Sequence, residues 1–279
     1  MSNAAPKYEL LKDQTLDFHG RTLHRIRALR DFGDVKAGEV GGYVESEANL
    51  SHDGNCWVAD NAKVYDDAQV SGNAKVNDKA GIWGDAQVGG NATVSGETTI
   101  EGEAKVGDNA QVSGNAQVMD KAQVTGNAKV TDNAKVQDEA TVSGNATVSG
   151  NAIVWEMARV LDNATVSDNA TVSGEAQVSG NTTVSGETWV EGNAKVSPQN
   201  RISALAENAR VELASPTIKA DDALFENARF DAHATVKAGS PDLAGIFKGF
   251  AQQAASRCST QAQADEHSDA LFSGPQMSL

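Results

Sequence analysis

Large side chains are scarce in this sequence. Aromatic residues make up 5% of its 279 positions, and only five residues are proline. A conventional globular core is filled with bulky aliphatic and aromatic groups, so the interior here must be thin and lined with small residues. Two cysteines, Cys56 and Cys258, are too few for a disulfide framework and fit a reducing compartment. No apolar run reaches the roughly 18 residues that a membrane span requires. The N-terminal stretch lacks the apolar core of a secretory signal. Together these absences point to a cytoplasmic protein with no membrane association. Positive charge is also in short supply: 23 Lys and Arg stand against 38 Asp and Glu, a net charge of −15. Direct binding to a nucleic-acid backbone, which needs clustered cations, is therefore not expected.

What the chain has in abundance is periodicity. From Val58 to Val196 every sixth residue is Val or Ile, 24 positions without a gap, with Ile only at 82 and 100. Two residues before each stands a small residue: Ala at 20 of these places, Cys56 at one, and Thr98, Thr182 and Thr188 at the rest. Residues two apart on a strand share a face. The Gly, Asp and Asn that follow each Val tolerate the left-handed backbone of a tight corner. One hexad is thus a short strand and a corner.

A longer period shows how many hexads close a turn. Asn recurs at 55, 73, 91, 109, 127, 145, 163 and 181, a spacing of 18. Three hexads with three distinguishable corners explain it, and the Asn column would stack as a hydrogen-bonded ladder. At about 4.8 Å per layer, eight coils make a prism ~38 Å long.

Around this prism the chain divides into three parts. Residues 1–43 break the hexad rule and are expected to form a β cap, with two alternating strands meeting at His19-Gly20. Residues 44–237 hold the repeat, begun by Val44 and Leu50 and shifted in register by two extra residues near Asp53-Gly54. Residues 238–279 are assigned a short helix at 242–256, with Leu243, Ile246, Phe247 and Phe250 on one side, and a polar tail.

The unit Val-x-Gly-Asn-Ala-x resembles the hexapeptide motif of left-handed β-helix proteins. The resemblance implies an all-β fold, a left-handed parallel β-helix of eight or more coils. Left-handedness rests on it alone, since the general crossover rule favours the right hand. The segments Asp31-Phe32-Gly33-Asp34-Val35-Lys36-Ala37-Gly38-Glu39-Val40-Gly41-Gly42-Tyr43-Val44 and Asn49-Leu50-Ser51-His52-Asp53-Gly54-Asn55-Cys56-Trp57-Val58 resemble YdcK-like hexapeptide proteins of enteric bacteria, phages and prophages. That family is named acyltransferase by analogy of fold, so the resemblance implies an architecture more firmly than an activity.

An acyltransferase of this class would use a histidine base, an acyl-CoA such as acetyl-CoA, and a cleft between subunits. Yet no histidine occurs between His52 and His233. His233 is the sole candidate base near regular coils, and an ordinary corner histidine is the preferred reading. Five Asn-x-Thr sequons are by-products of the repeat, the Asp corners lack the calcium β-roll pattern, and Cys56 occupies an inward packing position. No catalytic residue, metal site or cofactor is expected.

The 18-residue period sorts the outward residues onto three faces. One is rich in hydroxyls, as in ice-binding β-helices, although Gln111 and Lys129 spoil that array. A second carries Tyr65, Trp83, Met119, Ile153, Trp155 and Trp189, three of the four tryptophans in the chain. Aromatics concentrated on one face of a polar prism suggest an interaction surface. Its simplest partner is a second copy, a trimer being favoured. Beside it runs an acidic ridge of Asp66, Asp67, Asp85, Glu103, Glu139 and Glu175, suited to a basic protein partner or to mimicry of a phosphate backbone. The third face, with Gln69, Gln87, Gln123 and Gln177, reads as solvated surface. The function expected from the whole is a non-catalytic binding or scaffold protein of phage type. A counter-defence inhibitor in a host cytoplasm is one version of it, and an acyl-CoA-dependent transferase is the alternative.

Overall fold

The computed structural model describes residues 6–197 in full and the backbone of two later strands, Arg210–Leu213 and Thr235–Ala238. The chain divides into two units, 1–237 and 238–279. Val44 pairs with Val64, Leu50 with Val70 and Val58 with Val76, and each partner lies one coil further along. The two-residue shift at Asp53-Gly54 is thereby absorbed within the first coil. From Trp57–Val58 to Gln177–Val178 every strand pairs in parallel with the strand 18 residues on, as in Thr93 with Gln111 and Thr99 with Gln117. Three sheets result, one for each side of a β-solenoid of about nine turns.

Most strands are two residues long, because the pattern asks for no more. Each consists of one outward residue and one inward Val or Ile, as in Gln111–Val112 and Lys135–Val136. The Val and Ile column and the Ala column are almost wholly buried. Each inward Val contributes roughly 1.5–3 kcal/mol of burial. Where Thr replaces Ala, the hydroxyl needs an acceptor inside the wall. Thr182 and Thr188 find it in the carbonyls of Ser179 and Ser185, at 2.7 and 2.6 Å, and Thr98 bonds that of Ser95.

The corners are where the layers are tied. The predicted Asn ladder is complete: Asn55, Asn73, Asn91, Asn109, Asn127, Asn145 and Asn163 each donate from Nδ2 to the Oδ1 of the next, ending at Asn181, at 2.9–3.2 Å. A second, shorter ladder joins Asn115, Asn133, Asn151 and Asn169. A further device was not anticipated. Ten corner carboxylates occupy the left-handed region, among them Asp60, Asp108, Asp132 and Glu156. Each accepts a hydrogen bond from the backbone N–H of the equivalent corner one coil on, for example Asp108 from Gly126 at 2.9 Å and Asp132 from Gly150 at 3.0 Å. Ten of the 38 acidic residues thus cap corner amides that a glycine column would leave to water.

The expected hairpin is present. β1 (Tyr8–Phe18) and β2 (Arg21–Ala28) run antiparallel and turn at His19-Gly20, both with positive φ. β2 pairs antiparallel with β3 (Val40–Val44), which in turn pairs in parallel with Lys63–Val64. The cap therefore extends one side of the prism as part of the same sheet. β3 lies so close to the first coil that side chains are excluded. A Cβ on Gly41 would come within 2.4 Å of the Val58 carbonyl oxygen, and one on Gly42 within 2.6 Å of that of Ala62. Further along that sheet, Arg210–Leu213 pairs antiparallel with Thr188–Glu191. The helix assigned to 242–256 lies outside the described residues.

Candidate functional site

The sheet continuous with the hairpin is the one that bears the aromatic residues. Its register stacks Tyr43, Lys63, Gly81, Thr99, Gln117, Lys135, Ile153, Thr171 and Trp189 at the outward position before each Val. Tyr65, Trp83, Met119 and Trp155 stand two residues after the first of each pair.

Tyr65 is not part of an open surface. It is only 7% exposed, because the hairpin tip leans across it. The Phe18 ring meets the Tyr65 ring edge-on at 5.7 Å, and Tyr65 stacks on Trp83 at 5.5 Å and 13°. Lys63 Nζ lies 5.2 Å from the centre of the Phe18 ring. Burial pushes the Tyr65 phenol up to about 12; Asp66 and Glu101 add to the effect and Arg21 opposes it. Trp83 is half-buried at the end of this stack. The expectation for Tyr65 fails because sequence periodicity places a side chain on a face but cannot show that a hairpin folds back over it.

The remaining aromatics belong to the far end of the same sheet. Met119, Ile153 and Trp155 are half-buried, Trp189 is 46% exposed, and Met157 at the adjoining corner is 50% exposed. The register sets Thr171 between Ile153 and Trp189, and both Thr171 and Ser173 are buried although they point outward. The small residues that interrupt the aromatic series on paper are therefore recessed between larger neighbours. The apolar groups of these layers therefore share one side of the sheet.

The acidic ridge divides in two. Asp67, Asp85, Glu103, Glu139 and Glu175 are exposed in one corner column, interrupted there by Lys121 and Met157. Asp66 stands one residue earlier, in the left-handed column. Its carboxylate pairs with Arg21 of the hairpin and accepts from the Gly84 N–H at 3.2 Å, so it is a structural clamp rather than a free charge. Arg21 also pairs with Glu45 at 3.0 Å, and these carboxylates, Glu45 first, raise its own pKa.

The histidines offer no base on the regular coils among the described residues. His19 sits at the hairpin turn, and His24 is in β2. His52 stacks on Tyr8 at 4.4 Å while its Nδ1 accepts from the Lys7 N–H at 3.3 Å. His233 lies outside the described residues. Among the described residues no three His, Cys, Asp or Glu side chains are grouped to hold a metal, and no helix is long and apolar enough to cross a membrane.

One buried polar cluster escaped sequence reasoning. Lys7 is fully buried against the first coil, its Nζ donating to the Cys56 carbonyl at 2.9 Å and approaching the Cys56 Sγ at 3.1 Å. Burial lowers its pKa, against the Cys56 hydrogen bond that raises it. Tyr8, the next residue, donates from its hydroxyl to the Leu50 carbonyl at 2.7 Å. Only the departure of Cys56 from the Ala column hinted at this cluster.

Comparison with known proteins agrees with this architecture. A family model described as the YdcK Beta solenoid repeat matches residues 86–102, 140–156 and 176–192. Each match begins at the inward Ala of one sheet and runs through nearly a full coil. The chain is also 44% identical over 50 residues to a protein of Escherichia coli (strain K12) named "Uncharacterized acetyltransferase YdcK". That stretch covers 18% of this chain and 15% of that protein. The two matches support a YdcK-like β-solenoid repeat protein.

Proposed function

We propose, with the YdcK-like solenoid as premise, that this chain is a rigid, non-catalytic scaffold or binding module that acts through its outer faces. One observation carries the reading. Among the described coil residues Met157 and Trp189 are the large apolar side chains about half exposed, and Ile153, half-buried, shares the register of one sheet with Trp189, with Trp155 two residues further on. Exposed apolar groups gathered into one patch mark an interface. The partner is first of all another copy, giving a homo-oligomer with the trimer favoured, and beyond that a protein. As a phage- or prophage-type protein it would act in a host cytoplasm. The exposed column Asp67, Asp85, Glu103, Glu139 and Glu175 would face a basic partner there, as a counter-defence inhibitor would.

The second reading, an acyl-CoA-dependent acyltransferase, draws on the printed name of the Escherichia coli relative. It needs a base that the described coils do not supply. Light scattering on the native protein and on a Trp155→Ser/Trp189→Ser double variant tests the first reading. An oligomer that the variant loses supports assembly through this face, and an equally assembled variant refutes it. Calorimetric titration with acetyl-CoA tests the second, since saturable binding would restore the transferase.

A further inference from the structure

The first coil differs from all the others in one inward position. Where 20 coil walls carry Ala, this one carries Cys56, and a lysine from the N-terminal arm reaches it. Lys7 and Cys56 are 49 positions apart in sequence, yet Nζ and Sγ lie 3.1 Å from one another, with both residues fully buried. Among the described residues no hydrogen bond joins the lysine to a carboxylate, although burial, which lowers its pKa, is opposed in part by the charge of Asp53. It donates instead to the carbonyls of Cys56, Asp53 and Gly54, and its Nζ lies 5.1 Å from the centre of the Phe32 ring. The thiol is within reach of the Ser51 and Asp53 carbonyls, at 3.4 and 3.8 Å. All of these backbone groups belong to the segment holding the two extra residues, whose Asp53, Gly54 and Asn55 are exposed. Among the described residues it is where the hexad register is interrupted, and local opening of such an exposed segment is the route by which a small solute would reach the thiol.

We propose that Lys7 and Cys56 form a covalent bridge on exposure to peroxide, Nζ to Sγ, which locks the N-terminal arm onto the first coil. The chemistry balances with one equivalent of hydrogen peroxide as the two-electron oxidant. Sγ attacks one peroxide oxygen, the thiol proton passes through Nζ to the departing hydroxide, and sulfenic acid and water result. The neutral amine then attacks the sulfenyl sulfur, the S–O bond breaks, and the hydroxide leaves with a proton from nitrogen as a second water. The product is a sulfenamide, and the sulfur has lost two electrons to the peroxide. Condensation of sulfenic acids with nitrogen is established chemistry. Burial favours the neutral amine that the second step requires. A short approach between the two atoms replaces a bimolecular encounter. A thiol reducing agent reverses the bond, so the bridge is a switch on the cap and not a permanent staple.

Peptide mapping of the full chain by mass spectrometry tests this, after hydrogen peroxide treatment of the native protein and, in parallel, of protein unfolded in guanidinium. The expected result is a Lys7–Cys56 cross-linked peptide lighter by two hydrogens than its parts. It should be abundant in the native sample, at least an order of magnitude scarcer in the unfolded one, and removed by dithiothreitol. Lys7→Arg, which keeps the charge but lacks the nucleophilic amine, should give none. Because the native and unfolded samples are the same protein, the comparison holds even if that variant folds poorly. Cys56 recovered as sulfinic acid without a cross-link, or as free thiol after Cys258 is oxidised, overturns the proposal. So does a cross-link that forms equally in the unfolded chain.

Discussion

The left-handed corner carboxylates can be separated from the glycines that share their columns by a substitution series at Asp132. This residue has φ 60°, and its Oδ2 accepts from the Gly150 N–H at 3.0 Å. Ala at this position loses that hydrogen bond and also places an ordinary side chain in the left-handed region. The conformation costs such a residue ~1–2 kcal/mol. The bond is worth about 0.5–1.5 kcal/mol net, with the lower end applying to an exposed corner. Asp132→Ala should therefore destabilise by about 1.5–3 kcal/mol. Gly relieves the conformational cost but not the lost bond, and it adds unfolded-state freedom of about 0.5–1 kcal/mol; it should fall between. Asn tolerates the conformation and keeps an acceptor, so it should stay within about 0.5 kcal/mol of the parent. Guanidinium unfolding gives the ranking, and amide exchange at Gly150 gives the local effect, with faster exchange for Ala and Gly than for Asn. Equal stabilities for Ala and Asn, or unchanged exchange at Gly150 in the Ala variant, would refute the capping role.

Two further expectations concern the ladder and the hairpin tip. Asn127 accepts from Asn109 at 3.0 Å and donates to Asn145 at 2.9 Å. Asn127→Ala should then cost about 1–3 kcal/mol, from two bonds of ~0.5–1.5 kcal/mol each, and Asn127→Asp about half as much. The terminal Asn181→Ala breaks one bond and should cost less than Asn127→Ala, so equal unfolding midpoints would argue against a cooperative ladder. At Tyr65 the folded pKa is raised from 10.0 to about 12, so the neutral phenol is the form that folding favours. Its contribution is fully present below pH 10 and is lost as pH rises through about 12. Tyr8 is shifted in the same direction by burial, so Tyr65→Phe should shrink the alkaline loss of thermal stability without abolishing it. An unchanged alkaline profile in that variant would show that the Phe18–Tyr65–Trp83 stack does not hold the neutral phenol.

The fold was legible because it is written at two periods. A small residue and a Val two apart, repeated every six residues, leave each strand only one way to turn its side chains. The 18-residue recurrence of Asn fixes three strands per coil, and the Asn ladder followed from the same spacing. Solenoid contacts run only between neighbouring layers, so a one-dimensional pattern carries almost all the information that packing needs. The turn at His19-Gly20 was readable for the same local reason, since it depends on the backbone freedom of its own residues.

What the sequence did not determine lies where distant segments meet. That the hairpin covers Tyr65 depends on Phe18, 47 residues earlier by their numbering. That Asp66 is clamped by Arg21 while Asp67 remains exposed depends on which corner residue takes the left-handed conformation and on where the hairpin lies. The regular strands pair with the layers next to them, but the cap is bound to the coils through contacts that no spacing announces. Lys7 and Cys56 are the clearest instance. On paper one is a charge near a terminus and the other a variant of alanine. Only the closing of the first coil, which brings a desolvated amine against a buried thiol, makes them a pair.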